Sequence, residues 1–142
     1  MKLTARKIIL ICLILWGTVM LCLSPRFLAI HRESKSVDRT FDQYTSSLVG
    51  QRFEVAYQLC GTQFRSAMPY DRFIHVYESL QEEYGPLKSV KRVAYEVRGS
   101  GKPLYWRAVV DADFAYEKKT IRFELVFHKE ADRWVLFGTE QL

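Results

Sequence analysis

The second half of the chain alternates between apolar and polar positions with a period of two, the pattern of half-buried β-strands. Turn-forming residues interrupt the alternation at 99–103, 118–119 and 131–132. Connections this short force consecutive strands to pair antiparallel. The pattern therefore predicts a four-stranded meander with one apolar face. On its two central strands, the positions predicted to face the core are Trp106, Ala108, Val110, Ala112, Phe114, Phe123 and Leu125.

Before the alternation begins, apolar residues recur at helical spacing in three segments, and Gly50, Gly61 and Gly85 follow them as stop signals. The three stripes are Val37, Phe41, Tyr44 and Leu48; Phe53, Ala56, Tyr57 and Cys60; and Phe73, Tyr77, Leu80 and Tyr84. These helices must cover the apolar face of the meander, because both sets of apolar groups would otherwise face water. The expected fold class is α+β, with three helices packed on a curved antiparallel four-stranded sheet over residues 37–142.

The N-terminal segment is the most apolar part of the chain. Residues 8–23 carry no charge, and the uncharged stretch continues through Pro25. A spanning helix needs roughly 20 such residues, and Lys7 and Arg26 can extend their charged ends to water from either side. We therefore predict a basic N-terminus and transmembrane signal-anchor over residues 1–30, in contact with the membrane through residues 8–25, and a polar linker over 31–36.

Two other processing fates compete with the signal-anchor. The basic N-terminus also suits a cleaved signal peptide, although Ala29 has the bulky Phe27 where a cleavage site needs a small residue. Bacterial lipidation at Cys22 is the second alternative, although Leu21 before it is not small. Basic residues flank the apolar run on both sides, so the positive-inside count is nearly balanced. Because a short basic N-terminus usually stays in the cytoplasm, we expect the domain on the extracytoplasmic side.

The net charge of +5 does not indicate a nucleic-acid-binding protein. Five of the 21 basic residues lie in residues 1–32, which contain no acidic residue. Residues 33–142 therefore hold 16 basic and 16 acidic residues and are neutral overall. Binding to DNA or RNA backbones requires a clustered basic excess, so we exclude nucleic acid as a partner.

Cysteine and histidine patterns indicate neither a disulfide nor a metal site. Cys60 is the only cysteine in residues 33–142, so an intramolecular disulfide cannot form there, and a buried apolar role is expected for it. His31, His75 and His128 are scattered and match no metal-binding spacing. We predict no cofactor and no metal.

The order of three helices followed by a long-stranded meander resembles the nuclear transport factor 2-like superfamily, the α+β cone of cystatin-like folds, and within it small bacterial domains. The segments that carry the resemblance are 53–57, Phe64-Arg65, 73–87 and 129–136, over a matching region of roughly 37–142. The resemblance implies a pocket between the helices and the concave sheet face. Its members include isomerases, dehydratases, transport adaptors and assembly factors. It also places the anchor in a bacterial inner membrane, with a single-pass, periplasmic topology.

Aromatic side chains are the candidates to line such a pocket. They are Tyr44, Tyr57, Tyr77, Trp106 and Phe123. The same rings could simply fill the core. Enolising isomerases of this fold, as the resemblance implies, need a carboxylate inside the pocket, whereas Asp111 and Asp113 fall on the opposite face by parity. Asp71 suits a helix cap. We assign no catalytic residue.

The polar face of the sheet is the candidate contact surface. Its candidate residues are Tyr105, Arg107, Asp111, Arg122 and Glu124. The expected function is a membrane-anchored, non-enzymatic interaction or accessory domain that binds a protein partner or a second copy through this face. Binding of a small apolar ligand in the cone pocket is the first alternative. A lyase or isomerase with an inward carboxylate is the second.

Overall fold

The computed structural model describes residue 17, residues 25–101 and residues 104–142. Its helices are α1 (Pro25–Val49), α2 (Phe53–Gln58), α3 (Thr62–Ala67) and α4 (Tyr70–Tyr84). Its strands are β1 (Leu87–Ser100), β2 (Tyr105–Tyr116), β3 (Thr120–Glu130) and β4 (Arg133–Gln141). The α+β class and the four-stranded meander predicted from the sequence are confirmed, whereas residues 25–101 form four helices and not the three predicted.

The strands form one open antiparallel sheet in the order β1-β2-β3-β4. On β2, Ala108, Val110, Ala112 and Phe114 are buried, whereas the residues between them are only half-buried. The predicted alternation of faces is therefore confirmed for this strand. The parity also places Asp111 on the face opposite the core.

The helices lie on one face of the sheet and enclose the core against it. The predicted stripe of α1 is buried throughout, from Val37 to Leu48. On α4, Phe73 is completely buried. Cys60 is buried as predicted, its Sγ lying 3.6 Å from the Ala56 carbonyl oxygen, and burial raises the pKa of its thiol to about 12. Cys60 is thus a small core residue.

Helix α1 is longer than its apolar stripe, because residues 31–36 are helical rather than an irregular linker. No glycine or proline interrupts residues 26–49, so nothing in the sequence stops the helix. The buried carboxylate of Glu33 also ties this segment to the sheet. Lys129 Nζ donates to Glu33 Oε1 at 2.7 Å, and Trp134 Nε1 donates to Glu33 Oε2 at 2.8 Å. The polarity of residues 31–36 therefore reflects an internal ion pair and a solvated helix face.

Residues 59–61 pair through their backbone with the outer edge of β4. This segment directly precedes α3, the helix that the sequence analysis did not predict. Gly61 N donates to the Leu136 carbonyl oxygen at 2.7 Å, and Leu136 N donates to the Leu59 carbonyl oxygen at 2.9 Å. A side chain at position 61 would collide with Glu130 and Val135, because a Cβ there would lie 2.6 Å from Glu130 Oε1. The glycine thus allows this segment to approach the strand and protect its edge.

None of the helices in the described part of the chain combines the length and the apolar character needed to cross a membrane. The predicted membrane-spanning segment, residues 8–25, lies outside the described residues apart from Gly17 and Pro25.

Candidate functional site

Three of the candidate pocket residues pack among the helices. The hydroxyls of Tyr44 on α1 and Tyr77 on α4 lie 2.8 Å apart and share a hydrogen bond. Burial and the neighbouring Tyr77 raise the pKa of Tyr44 well above its ordinary value. Tyr57 on α2 donates its hydroxyl proton to the Met68 carbonyl oxygen at 3.0 Å. Each of these hydroxyls therefore has a partner within the protein.

The other two candidate pocket residues, Trp106 and Phe123, lie along the sheet. Trp106 lies beside Gly99 of β1, where a Cβ would come within 3.0 Å of the indole ring. Phe123 packs edge-on against Phe114, with ring centroids 4.9 Å apart. Tyr44 thus belongs to the core and the other four candidates pack against it, which is the core-filling role of these rings.

The five candidate contact residues all lie on the sheet face opposite the helices, which we call the open face. No helix or strand among the described residues covers it. The cross-strand pairs on this face include Arg107 with His128, Asp111 with Glu124, and Asp113 with Arg122. The predicted grouping of Tyr105, Arg107, Asp111, Arg122 and Glu124 on one face thus follows from the observed register.

Three acidic residues form a line across the middle of the open face, which we call the acidic row. Asp111 of β2 is the direct partner of Glu124 of β3, and Glu124 is the direct partner of Glu140 of β4. Like charges directly opposite each other destabilise a sheet. Asp111 and Glu124 are half-buried and Glu140 is exposed, so a cation placed on the row would relieve this repulsion.

Asp113 lies next to the acidic row and is neutralised within the protein. Arg122 Nε donates to Asp113 Oδ1 at 2.7 Å, and its second nitrogen donates to Oδ2 at 3.0 Å. The hydrogen bonds and charge of Arg122 lower the pKa of Asp113 below its ordinary value. A general base working near neutral pH needs a carboxyl with a raised pKa, so Asp113 is unsuited to that role.

Aromatic rings occupy one end of the open face, and we call Tyr105, His128 and Phe137 the aromatic corner. His128 and Phe137 are stacked with centroids 3.8 Å apart, and Tyr105 meets His128 edge-on at 5.0 Å. The Tyr105 hydroxyl also contacts His128 Nδ1. Together with Arg107 and Glu124, these rings line a concave region of about 430 Å³. Aromatic and charged side chains therefore line the same concave region.

The pKa of His128 should depend on the charges around the aromatic corner. Burial first, and the nearby Arg107 second, lower the pKa of His128 below its ordinary value of 6.5. Folding therefore favours the neutral form of the His128 imidazole. This preference stabilises the folded protein above pH 6.5, and the stabilisation declines as the pH falls below that value. We expect imidazole NMR signals to titrate below the ordinary value, and Arg107→Gln to raise this pKa. A His128 pKa above 6.5 would contradict this account.

Three residues described above escaped the sequence analysis: Phe137 and Glu140 on the open face, and Glu33 on the helical side of the sheet. Phe137 lies at a register shift, because Val126 pairs with Gly138 whereas Phe127 pairs with Leu136. Alternation from Trp134 and Leu136 already places Phe137 on the open face, whereas the shift brings Glu140 onto that face opposite Glu124. A glycine inside a strand often marks such an irregularity, and Gly138 was the available signal. Glu33 was missed because its partners are distant in the sequence.

Residues 25–101 and 104–142 contain no cluster of three or more side chains suited to hold a metal ion. Comparisons with protein-family models, curated proteins and solved structures found no match.

Proposed function

We propose that this protein is a membrane-anchored, non-enzymatic interaction domain that binds a protein partner through the open face of its sheet. The observation that carries the proposal is the acidic row of Asp111, Glu124 and Glu140 on a face that no described element covers. The like charges of the acidic row repel one another and cost stability. A partner that places positive charge opposite the row would explain why the protein has this arrangement. Arg107 and the aromatic corner provide cationic and apolar contacts beside it.

The shape and chemistry of the open face favour a protein over a small ligand. Charges of both signs and aromatic rings are spread across β2, β3 and β4, so complementary contact requires an extended surface. Among the candidate pocket residues, the hydroxyls of Tyr44 and Tyr77 bond to each other, and the hydroxyl of Tyr57 bonds to a backbone carbonyl oxygen. The lyase or isomerase alternative requires a free inward carboxylate, whereas Asp111 and Asp113 lie on the open face. The buried carboxylate of Glu33 is held by Lys129 and Trp134 through both of its oxygens.

The fold family and the location are part of the same proposal. The helix-then-meander order supports a nuclear transport factor 2-like cone, and the uncharged run at residues 8–23 supports a single-pass anchor with a periplasmic domain. Anchoring raises the concentration of the domain near membrane partners, so a contact of modest affinity suffices.

Reversing two charges on the open face tests the proposal. Asp111→Lys/Glu124→Lys replaces two members of the acidic row by cations, which would repel a cationic partner, and we expect it to release the partner without unfolding the domain. The measurement is co-purification of the full chain from its own membrane in mild detergent, with circular dichroism as the folding check.

The matched control reverses two exposed acidic residues on the helical side, Asp42→Lys/Glu78→Lys, which changes the net charge by the same amount. We expect this control to retain the partner. Retention of every partner by the open-face variant would overturn the proposal, and so would equal loss from both variants while both remain folded.

A further inference from the structure

Exposed apolar side chains gather at one end of the domain. We call this cluster the hairpin patch; it consists of Phe27, Leu28, Ile30, Leu104 and Tyr105. Three members lie at the start of α1, and two lie beside the turn between β1 and β2. Among the described residues, the other large exposed apolar side chains are Val76, Val93 and Leu142, each in a different region. Only the hairpin patch groups such residues together.

The two parts of the patch are neighbours in space. Ile30 of α1 lines a concave region of about 570 Å³ together with Gly99 and Tyr105 of the β1–β2 hairpin. Glu33, one turn further along α1, bonds to Lys129 and Trp134 beside the β3–β4 turn at the same end. The start of α1, the β1–β2 turn and the β3–β4 turn thus lie at the same end of the domain.

Arginines border the apolar side chains. Arg98 and Arg107 are direct cross-strand partners at the base of the β1–β2 hairpin, and both line the same concave region. Arg98 forms an ion pair with Glu96, whereas Arg107 has no ion-pair partner within residues 25–101 and 104–142. Two opposed cations repel each other, so an anion between them would relieve that repulsion.

We propose that the hairpin patch lies on the surface of an anionic phospholipid bilayer, in the leaflet next to the anchor. Helix α1 begins at Pro25, directly after the uncharged run of residues 8–23, so the patch lies where the chain would leave the membrane. Apolar side chains bordered by arginine match the boundary between acyl chains and phosphate headgroups. This inference rests on the anchor of the proposed function and adds a second membrane contact, which orients the open face.

Lipid photo-crosslinking of the full chain tests this contact. The protein is reconstituted into vesicles of phosphatidylcholine and phosphatidylglycerol, the latter carrying a photoreactive group at the top of its acyl chain. Trypsin releases residues 99–107 as one peptide, which contains Leu104, and residues 134–142 as another, which contains Leu142. These leucines are 59% and 61% exposed and lie at opposite ends of the sheet, so they are matched reporters.

We expect lipid adducts on residues 99–107 and none at Leu142. Leu104→Asp should lower the adduct yield roughly tenfold, because it removes an apolar contact with the bilayer, whereas Leu142→Asp should leave the yield unchanged. Vesicles without phosphatidylglycerol, in which phosphatidylcholine carries the same photoreactive group, should also give a lower yield.

Vesicle flotation separates failure of the contact from failure of the anchor. A protein that floats with the vesicles but gives no adducts, or equal adducts at both ends, overturns the hairpin contact and leaves the proposed function intact. A protein that neither floats nor gives adducts overturns both. If Leu104→Asp instead releases the protein companion of the open face, the patch belongs to that protein interface and the lipid assignment is wrong.

Discussion

Replacing Phe73 by alanine is expected to lower the free energy of unfolding by about 3–5 kcal/mol. Phe73 of α4 is fully buried. Its ring centroid lies 5.3 Å from that of Tyr57, 6.3 Å from that of Phe64 and 5.0 Å from that of Tyr77. One side chain therefore joins α4 to both α2 and α3. Its removal leaves a cavity that rigid aromatic neighbours cannot readily close.

Urea denaturation of the full chain in mild detergent, followed by tryptophan fluorescence, measures this effect. Val76→Ala on the same helix is the matched control, because Val76 is exposed and its truncation creates no cavity. We expect the control to change stability by less than about 0.5 kcal/mol. If Phe73→Ala costs no more than Val76→Ala, the helical layer is not organised around this ring.

Glu33→Gln is expected to cost about 2–3 kcal/mol, since it removes the charge that balances Lys129 in a largely buried pair. The Glu33 side chain is 10% exposed and that of Lys129 is 22% exposed. The glutamine amide can accept the bond from Trp134 with its oxygen. Its NH₂ group then faces the ammonium group of Lys129, so a donor meets a donor.

A second substitution distinguishes this ion pair from a general effect of changing α1. Lys129→Met in the Glu33→Gln background removes the stranded ammonium, so the double variant should be more stable than the sum of the single losses implies. Additive losses would show that Glu33 and Lys129 do not interact, and would remove the reason given for the helical conformation of residues 31–36.

Much of the fold follows from local patterns in the sequence. On β2 the alternation over Ala108, Val110 and Ala112 indicates which face is buried, because a one-residue slip would expose the whole set. The same parity places Arg107 and Asp111 on the open face. The glycines after α1, α2 and α4 also lie close to the observed helix ends.

Other features depend on contacts between distant residues, which periodicity does not encode. The helical state of residues 31–36 depends partly on Lys129 and Trp134, about a hundred positions further along the chain. Glu140 reaches the open face only through an irregularity of strand register, because alternation from Trp134 and Leu136 would place it on the other face. The acidic row likewise requires the pairing of three strands, because Asp111, Glu124 and Glu140 are separated in the sequence. Such groupings appear only once the register is known.

Native mass spectrometry of the full-length protein, extracted from its own membrane in mild detergent, tests the central claim most directly. The account predicts a stoichiometric protein companion that is present with the wild type and the Asp42→Lys/Glu78→Lys control, and absent with Asp111→Lys/Glu124→Lys. A reproducible small-molecule adduct without any protein companion would contradict the account. It would then direct attention to Tyr57, Tyr77 and Trp106 as the residues of a ligand pocket.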